Sequence, residues 1–461
     1  MDLKVKAPLD AKFIPMSLFY QAYEADAAAC ENTQVVVLNV TRDHDLCDFL
    51  RLRIFPEDVQ KERTLLLLDR LLKTLLWTRG GWKITVGGPK WVYDYFAKAY
   101  APGGSRDFDR DFMSGVYGKP FAVAYTGDMD SIACRRDGAS SIGRHLDGCR
   151  IGFDAGGSDR KVSAVIDGEP VYSEEVVWYP KTQSDPQYHF DGILAAMKTA
   201  AAHLPRVDGI GVSSAGVYID NRTMVASLFG KVPKDAFEKT VRTIYPDVAR
   251  RIGKDIPLVV ANDGDVTALA GAMDLGVGNV LGIAMGTSEA GGYVDGKMRL
   301  MGWLTELAFV PVDACKESMV DEWSGDFGTG VKYFSQDAVI KLAPAAGIAL
   351  DETLSPAEKL KIVQAKMLEG HEGARKIYET IGVYFGYAIA FYARFYEIEH
   401  VLIMGRVTSG EGGLLILKKA QEVLKAEFPA LSAKITLHIP DEKSRRVGQS
   451  VAAASLPEIR A

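Results

Sequence analysis

Three polar clusters in this 461-residue chain bring together residue types that chemistry uses. The first runs Asp154, Ala155, Gly156, Gly157, Ser158, Asp159, Arg160, Lys161. Adjacent glycines leave backbone N–H groups free to point at an anion, and their missing side chains let a phosphate approach. A second glycine loop, Gly286, Thr287, Ser288, Glu289, Ala290, Gly291, Gly292, repeats that composition. Either loop alone reads more readily as a tight turn; the repetition shifts the reading toward phosphate binding. The third cluster, Asn262, Asp263 and Asp265, follows a short apolar run. A carboxylate where a buried parallel strand gives way to a helix lies at the edge where α/β sheets bind ligands, and it can equally well cap the helix.

The elements around these clusters recur. Before and after the first loop the pattern predicts strands over 151–153, 162–166 and 171–177, the last two joined by an Asp167-Gly168 hairpin turn. Around the second loop it predicts strands over 280–285, 293–294 and 297–300 with a turn at Asp295-Gly296, so the chain contains an internal structural repeat. Two such loops on two related domains would hold a polyphosphate from both sides of a cleft. Between them the spacing predicts a helix over 191–203 and a buried strand over 207–214 that breaks into a small-residue loop at Gly216. A strand over 258–261 follows, then an alanine-rich helix over 266–275 terminated by Gly276. An apolar helix over 377–396 carries tyrosines and phenylalanines that read as core.

Residues 1–148 read as an α/β domain of their own, with strands over 34–40, 82–86 and 121–125 and helices over 56–77 and 90–100. The helix and the glycines at 80–81 imitate a winged helix-turn-helix, but a recognition helix made mostly of leucine has few cations to meet phosphate. Tyr125, Asp128, Asp130, Arg135 and Arg136 could line a cleft or form a solvated loop. The balance of 54 Lys+Arg against 60 Asp+Glu gives no basic face for nucleic acid. No run approaches a membrane span: the nearest, 65–77, is broken by Asp69, Arg70 and Lys73 and predicts a buried amphipathic helix. The first residues lack the apolar core of a secretory signal. Cys30, Cys47, Cys134, Cys149 and Cys315 are an odd number without CxxC spacing, so reduced thiols, a cytoplasmic location and no zinc site are expected.

From about residue 150 to the C-terminus, the chain resembles the ROK family of sugar kinases and sugar-responsive repressors, within the actin-like ATPase fold shared with hexokinases. Residues 154–158 match the family's first phosphate motif, 209–216 its strand and sugar-side loop, and Asn262 with Asp263 its Asn-Asp pair. Residues 278–292 match the second phosphate motif, and 401–410 look like the strand and loop that cup adenosine. The resemblance implies an α/β fold of two actin-like, ribonuclease H-like ATPase domains with a central cleft, beside the N-terminal extension. The sugar-side domain would comprise 149–275 closed by a last helix within 443–461, and the nucleotide-side domain 276–442, with the helix over 377–396 between them.

The implied activity is phosphoryl transfer from ATP to a sugar or polyol hydroxyl, which needs in-line positioning, Mg²⁺ and a proton acceptor. By resemblance Asp263 is the base. Asn262, Glu306, Ser214 and Gly216 are sugar contacts, and Gly156, Gly157, Ser158, Gly286, Thr287, Gly405 and Gly410 hold ATP. Asp154 is the Mg²⁺-side carboxylate, acting through water. A homodimer is the ordinary family assembly. The chain departs from the pattern at several places: Ala308 and Phe309 stand where the family has Gly-His, only Cys315 remains of its zinc loop, and the family's sugar-loop asparagine has no clear counterpart around Ser227 to Phe229. Ser288 and Glu289 occupy the second phosphate loop, where a carboxylate would repel ATP, and Arg406 replaces a glycine in the adenosine loop. Two other readings follow, a sugar-binding sensor or transcriptional regulator without turnover and a different actin-fold ATP chemistry. Scattered cysteines argue against the iron–sulfur activators of that last class.

Overall fold

The computed structural model describes residues 2–132, 142–440 and 442–459, without the side chains of 131 and 442–447. Cys134, Arg135 and Arg136 lie outside the described residues. The chain packs as two units, one of residues 1–137, 283–291 and 303–439, the other of 138–282, 292–302 and 440–461.

In the first unit, β1 (Gln34–Thr41) is antiparallel to β2 (Cys47–Ile54) and to β3 (Lys83–Gly87), and β3 runs parallel to β4 (Ala122–Thr126). The sequence pattern finds β1, β3 and β4 but not β2, whose alternation is weak, nor the helices Met16–Ala28 and Asp107–Tyr117. The helix Lys61–Arg79 buries Asp69, Arg70, Lys73 and Arg79 as well as most of its leucines. Arg70, Lys73 and Arg106 meet Asp69, Asp109 and Asp326, all six at most 8% exposed. Arg70 Nη1 and Nη2 reach the two Asp326 carboxylate oxygens at 3.1 and 2.9 Å, and Lys73 Nζ lies 2.8 Å from Asp326. Three cations against three anions leave no uncompensated charge, which is the condition for burying them. The network ties 61–117 to 321–326. The N-terminal segment is fastened similarly, because the buried Asp313 accepts from the N–H groups of Ile14 and Cys315 and from the Tyr333 hydroxyl.

The second unit is built on a five-stranded sheet. β5 (Cys149–Ala155), β6 (Asp159–Ile166) and β7 (Glu169–Val177) are antiparallel neighbours, while β8 (Gly209–Ser214) lies parallel on the other side of β5. After the small ribbon of β9 (Val217–Ile219) and β10 (Arg222–Val225), β11 (Leu258–Asn262) joins parallel to β8, giving the order β11-β8-β5-β6-β7. The hairpin turn is as expected, with Ile166 facing Glu169 and both Asp167 and Gly168 at positive φ. The closing helix, Glu442–Ala454, lies on β5, β6 and β8. It approaches so closely that a Cβ on Gly152 or Gly211 would stand within 1.7 Å of a helix carbonyl oxygen, of Ser450 or Ala453. Glycine is therefore required at both strand positions.

The remaining sheet has the order β13-β12-β14-β15, formed by β12 (Val280–Met285), β13 (Glu289–Val294), β14 (His400–Met404) and β15 (Thr436–His438). The third strand expected over 297–300 shrinks to one bridge between Val294 and Leu300. Met298 takes φ +58° and Asp295 folds back to accept from the N–H groups of Lys297 and Arg299, which ends the pleat. The long apolar helix is Glu372–Tyr392, within the first unit, and its aromatic residues are core as expected.

Among the described residues no helix is long and apolar enough to cross a membrane. Cys30, Cys149 and Cys315 are free, but Cys47 is disulfide-bonded, against the expectation of reduced thiols. Spacing could not reveal a pairing that tertiary proximity creates, and cysteine usage no longer argues for a reducing compartment.

Candidate functional site

The second unit gathers Asp154, Gly156, Gly157, Ser158, Ser213, Ser214, Gly216, Asn262 and Asp263 at one edge of its sheet, where the parallel strands β5, β8 and β11 all end. Parallel pairing sets Asp154 beside Ser213, whose hydroxyl donates to Asp154 Oδ1 at 2.7 Å. Lys161, opposite Asp154 on β6, stands 4.0 Å from Oδ2. Asp154 is 4% exposed, and this burial raises its pKa to about 6 despite Ser213 and Lys161, with Asp263 adding repulsion.

Asn262 caps the helix Asp263–Leu275: its Oδ1 accepts from Gly264 N–H at 2.8 Å, and its Nδ2 donates to the Gly216 carbonyl at 2.8 Å. Capping thus takes the asparagine and leaves the aspartate for other work. Asp263 Oδ1 shares the same Gly264 N–H at 3.0 Å. Desolvation raises the Asp263 pKa, opposed by that backbone bond and by the charge of Lys181. Ser214 is fully buried, and its Oγ receives the hydroxyls of Tyr218 at 2.7 Å and Tyr245 at 2.8 Å. Gly216, at φ +142°, has no room for a Cβ against the Val225 carbonyl. Ser214 and Gly216 shape the loop rather than project from it.

The first unit carries the other glycine loop. Gly286 N–H bonds Ser288 O at 3.0 Å, and Gln336 N–H bonds Gly286 O at 2.9 Å. Gly405, at the end of β14 with φ +99°, lies against the backbone of Met285, so 286–287 and 405–410 come together at the ends of neighbouring strands. Gly410 precedes the helix Glu411–Glu427, and the Arg406 side chain is exposed.

Glu289 does not behave as its sequence position suggests. It is 3% exposed, faces the Gly330 backbone, and has no hydrogen-bond partner on either oxygen among the described residues. Desolvation, with the nearby Glu306 charge, pushes its pKa well above the usual range, which favours the neutral form and weakens the expected repulsion of ATP. Glu306 precedes the short turn Leu307–Phe309. Phe309 packs in an aromatic cluster, its ring centroid 4.3 Å from that of Trp77 and 5.4 Å from that of Phe108, the rings tilted.

Sequence reasoning missed Trp178 and Lys181, which sit beside the first glycine loop, and the two tyrosines on Ser214. Trp178 Nε1 donates to Gly156 O at 2.8 Å. No motif marks either residue, because the loop that carries them meets the glycines only through the hairpin register. Among the described residues no group of three or more His, Cys, Asp or Glu is placed to hold a metal ion.

No protein-family model matches the chain, and no curated protein matches it in sequence. Among solved structures, a ROK hexokinase from Thermus thermophilus is similar over 67% of this chain and 97% of its own, at 16% identity and a TM-score of 0.50. A ROK family glucokinase from Streptomyces griseus, in complex with glucose and AMPPNP, matches 67% of this chain and 98% of its own, at 19% identity and a TM-score of 0.47. A ROK family transcriptional regulator, homologue of the E. coli MLC protein, matches 68% and 79%, at 17% identity and a TM-score of 0.49. The chain therefore has the α/β actin-like ATPase fold of the ROK proteins.

Proposed function

We propose that this chain transfers the terminal phosphoryl group of ATP to a hydroxyl of a sugar or polyol. The observation that carries the reading is the desolvated pair Asp154 and Asp263 at the strand ends beside the Gly156-Gly157 loop. A carboxylate with a raised pKa is a better proton acceptor than a solvated one, and the neighbouring loop suits an anion. In the proposed step the hydroxyl oxygen attacks phosphorus, its proton passes to Asp263, and ADP leaves with the bridging oxygen. Asn262 holds the start of the helix so that the Asp263 carboxylate keeps its place, and one Asn262 N–H remains for a sugar oxygen. Glu306 and the loop ending at Gly216 would add sugar contacts. Gly286, Thr287, Gly405 and Gly410 would hold the nucleotide.

Asp154 fits Mg²⁺ in its donor type, a hard carboxylate oxygen, and Mg²⁺ is commonly held by one or two carboxylates with substrate phosphates completing the shell. When bound, the ion would offset charge on the phosphate oxygens.

The test is an ADP-release screen over sugars, amino sugars and polyols. Asp263→Asn should lower turnover on the order of 10²–10⁴-fold while sugar binding survives. Near-normal phosphorylation by that variant would exclude Asp263 as base. A second reading, a sugar-binding sensor or regulator without turnover, draws support from Ser214, whose oxygen accepts from Tyr218 and Tyr245 inside the unit. Sugar binding with no ADP release from any substrate would select it.

A further inference from the structure

The first glycine loop is gripped from one side. Trp178 takes the Gly156 carbonyl with its indole N–H at 2.8 Å and the Ser158 carbonyl with its backbone N–H at 3.1 Å. In a trans peptide the C=O and the following N–H point opposite ways, so the Gly157 N–H is turned away from the Trp178 indole. Over that glycine stands Lys181: a Cβ built on Gly157 would be 3.1 Å from its Cε and 3.2 Å from its Nζ.

Lys181 is exposed, and no carboxylate of the described residues lies within ion-pair distance of it. Asp159, in the same loop, is otherwise engaged, since it pairs with Lys161 at 3.2 Å and accepts from the Ser158 hydroxyl at 3.1 Å. The turn beneath Lys181, Pro180–Thr182, is pinned: the buried His189 ring lies 3.0 Å from Pro180 O and 3.2 Å from Asp185 O, and Tyr179 N–H bonds the Tyr188 hydroxyl at 3.1 Å. The cation is thus carried on a rigid base beside a loop shaped for an anion.

We infer that Lys181 binds the terminal phosphate of the nucleotide at the Gly156-Gly157 loop and offsets the charge on the phosphoryl group being transferred. The inference rests on the kinase reading and adds a contact that no motif supplies. The Lys181 charge also acts on Asp263, opposing the rise in its pKa.

Equilibrium binding of ATP, ADP and adenosine to the full chain tests it, with Lys181→Met and Lys181→Arg compared at matched thermal stability. A charge-assisted contact to one phosphate predicts ATP weakened about ten-fold or more in the methionine variant. ADP and adenosine should stay within about two-fold, and arginine should restore most of the loss. Unchanged ATP affinity in Lys181→Met, or equal weakening of ATP and adenosine, would overturn the assignment alone. If the unaltered chain binds no ATP, the kinase reading itself falls and the inference with it.

Discussion

At the scale of single residues, the most informative side chain is Glu289. A carboxyl that stays protonated in the folded chain but ionises near 4.5 in the unfolded chain binds more protons when folded. Its contribution is fully present below the unfolded pKa and is lost as pH rises above it. Glu289→Gln removes the ionisation while keeping shape, so its melting temperature should gain on the unaltered chain progressively between about pH 5 and 8. Scanning calorimetry across that range would show it; a pH-independent difference would mean that Glu289 is not held neutral. Asp263 poses the converse case, a raised acid that keeps some solvent contact, as a proton acceptor needs.

At the scale of elements, the helix Lys61–Arg79 is held by charge as much as by leucine. Burial alone would push Asp326 upward, but Lys73, Arg106 and Arg70 outweigh it and hold its carboxyl far below the usual range. Asp326→Ala would leave three cations facing two carboxylates in a buried site, and should cost about 3–5 kcal/mol in chemical denaturation. A loss under about 1 kcal/mol would show that water reaches the network. The same helix sets Trp77 against Phe309, so the segment after Glu306 is organised by aromatic and ionic contacts with residues 61–117. The interrupted leucine run was legible as a buried helix; that its charges go inside was not, since their partner Asp326 lies 256 residues from Arg70 in the chain.

At the scale of the whole molecule, residues 1–137 share one unit with 283–291 and 303–439. A chain beginning at residue 138 would strip Asp326 of all three cations and Phe309 of Trp77, Phe108 and Phe112. Limited proteolysis of that chain should cut within 303–439 while 149–275 stays protected. Equal resistance of both regions would show that the C-terminal part folds without the first 137 residues.

Read alone, the residues determined the strands on either side of the two glycine loops apart from 297–300, the hairpin at Asp167 and Gly168, and the buried leucine and aromatic helices. These are local signals, written in periodicity and in glycines whose backbone no other residue could supply. Tertiary structure decided the rest. Glu289 turns inward with its pKa raised, Ser214 is claimed by two tyrosines, Lys181 stands over Gly157, and Asp69, Arg70 and Lys73 of the leucine helix are buried. Each depends on partners distant in the chain, and whether a polar group is solvated, paired or stranded depends on what the fold brings beside it.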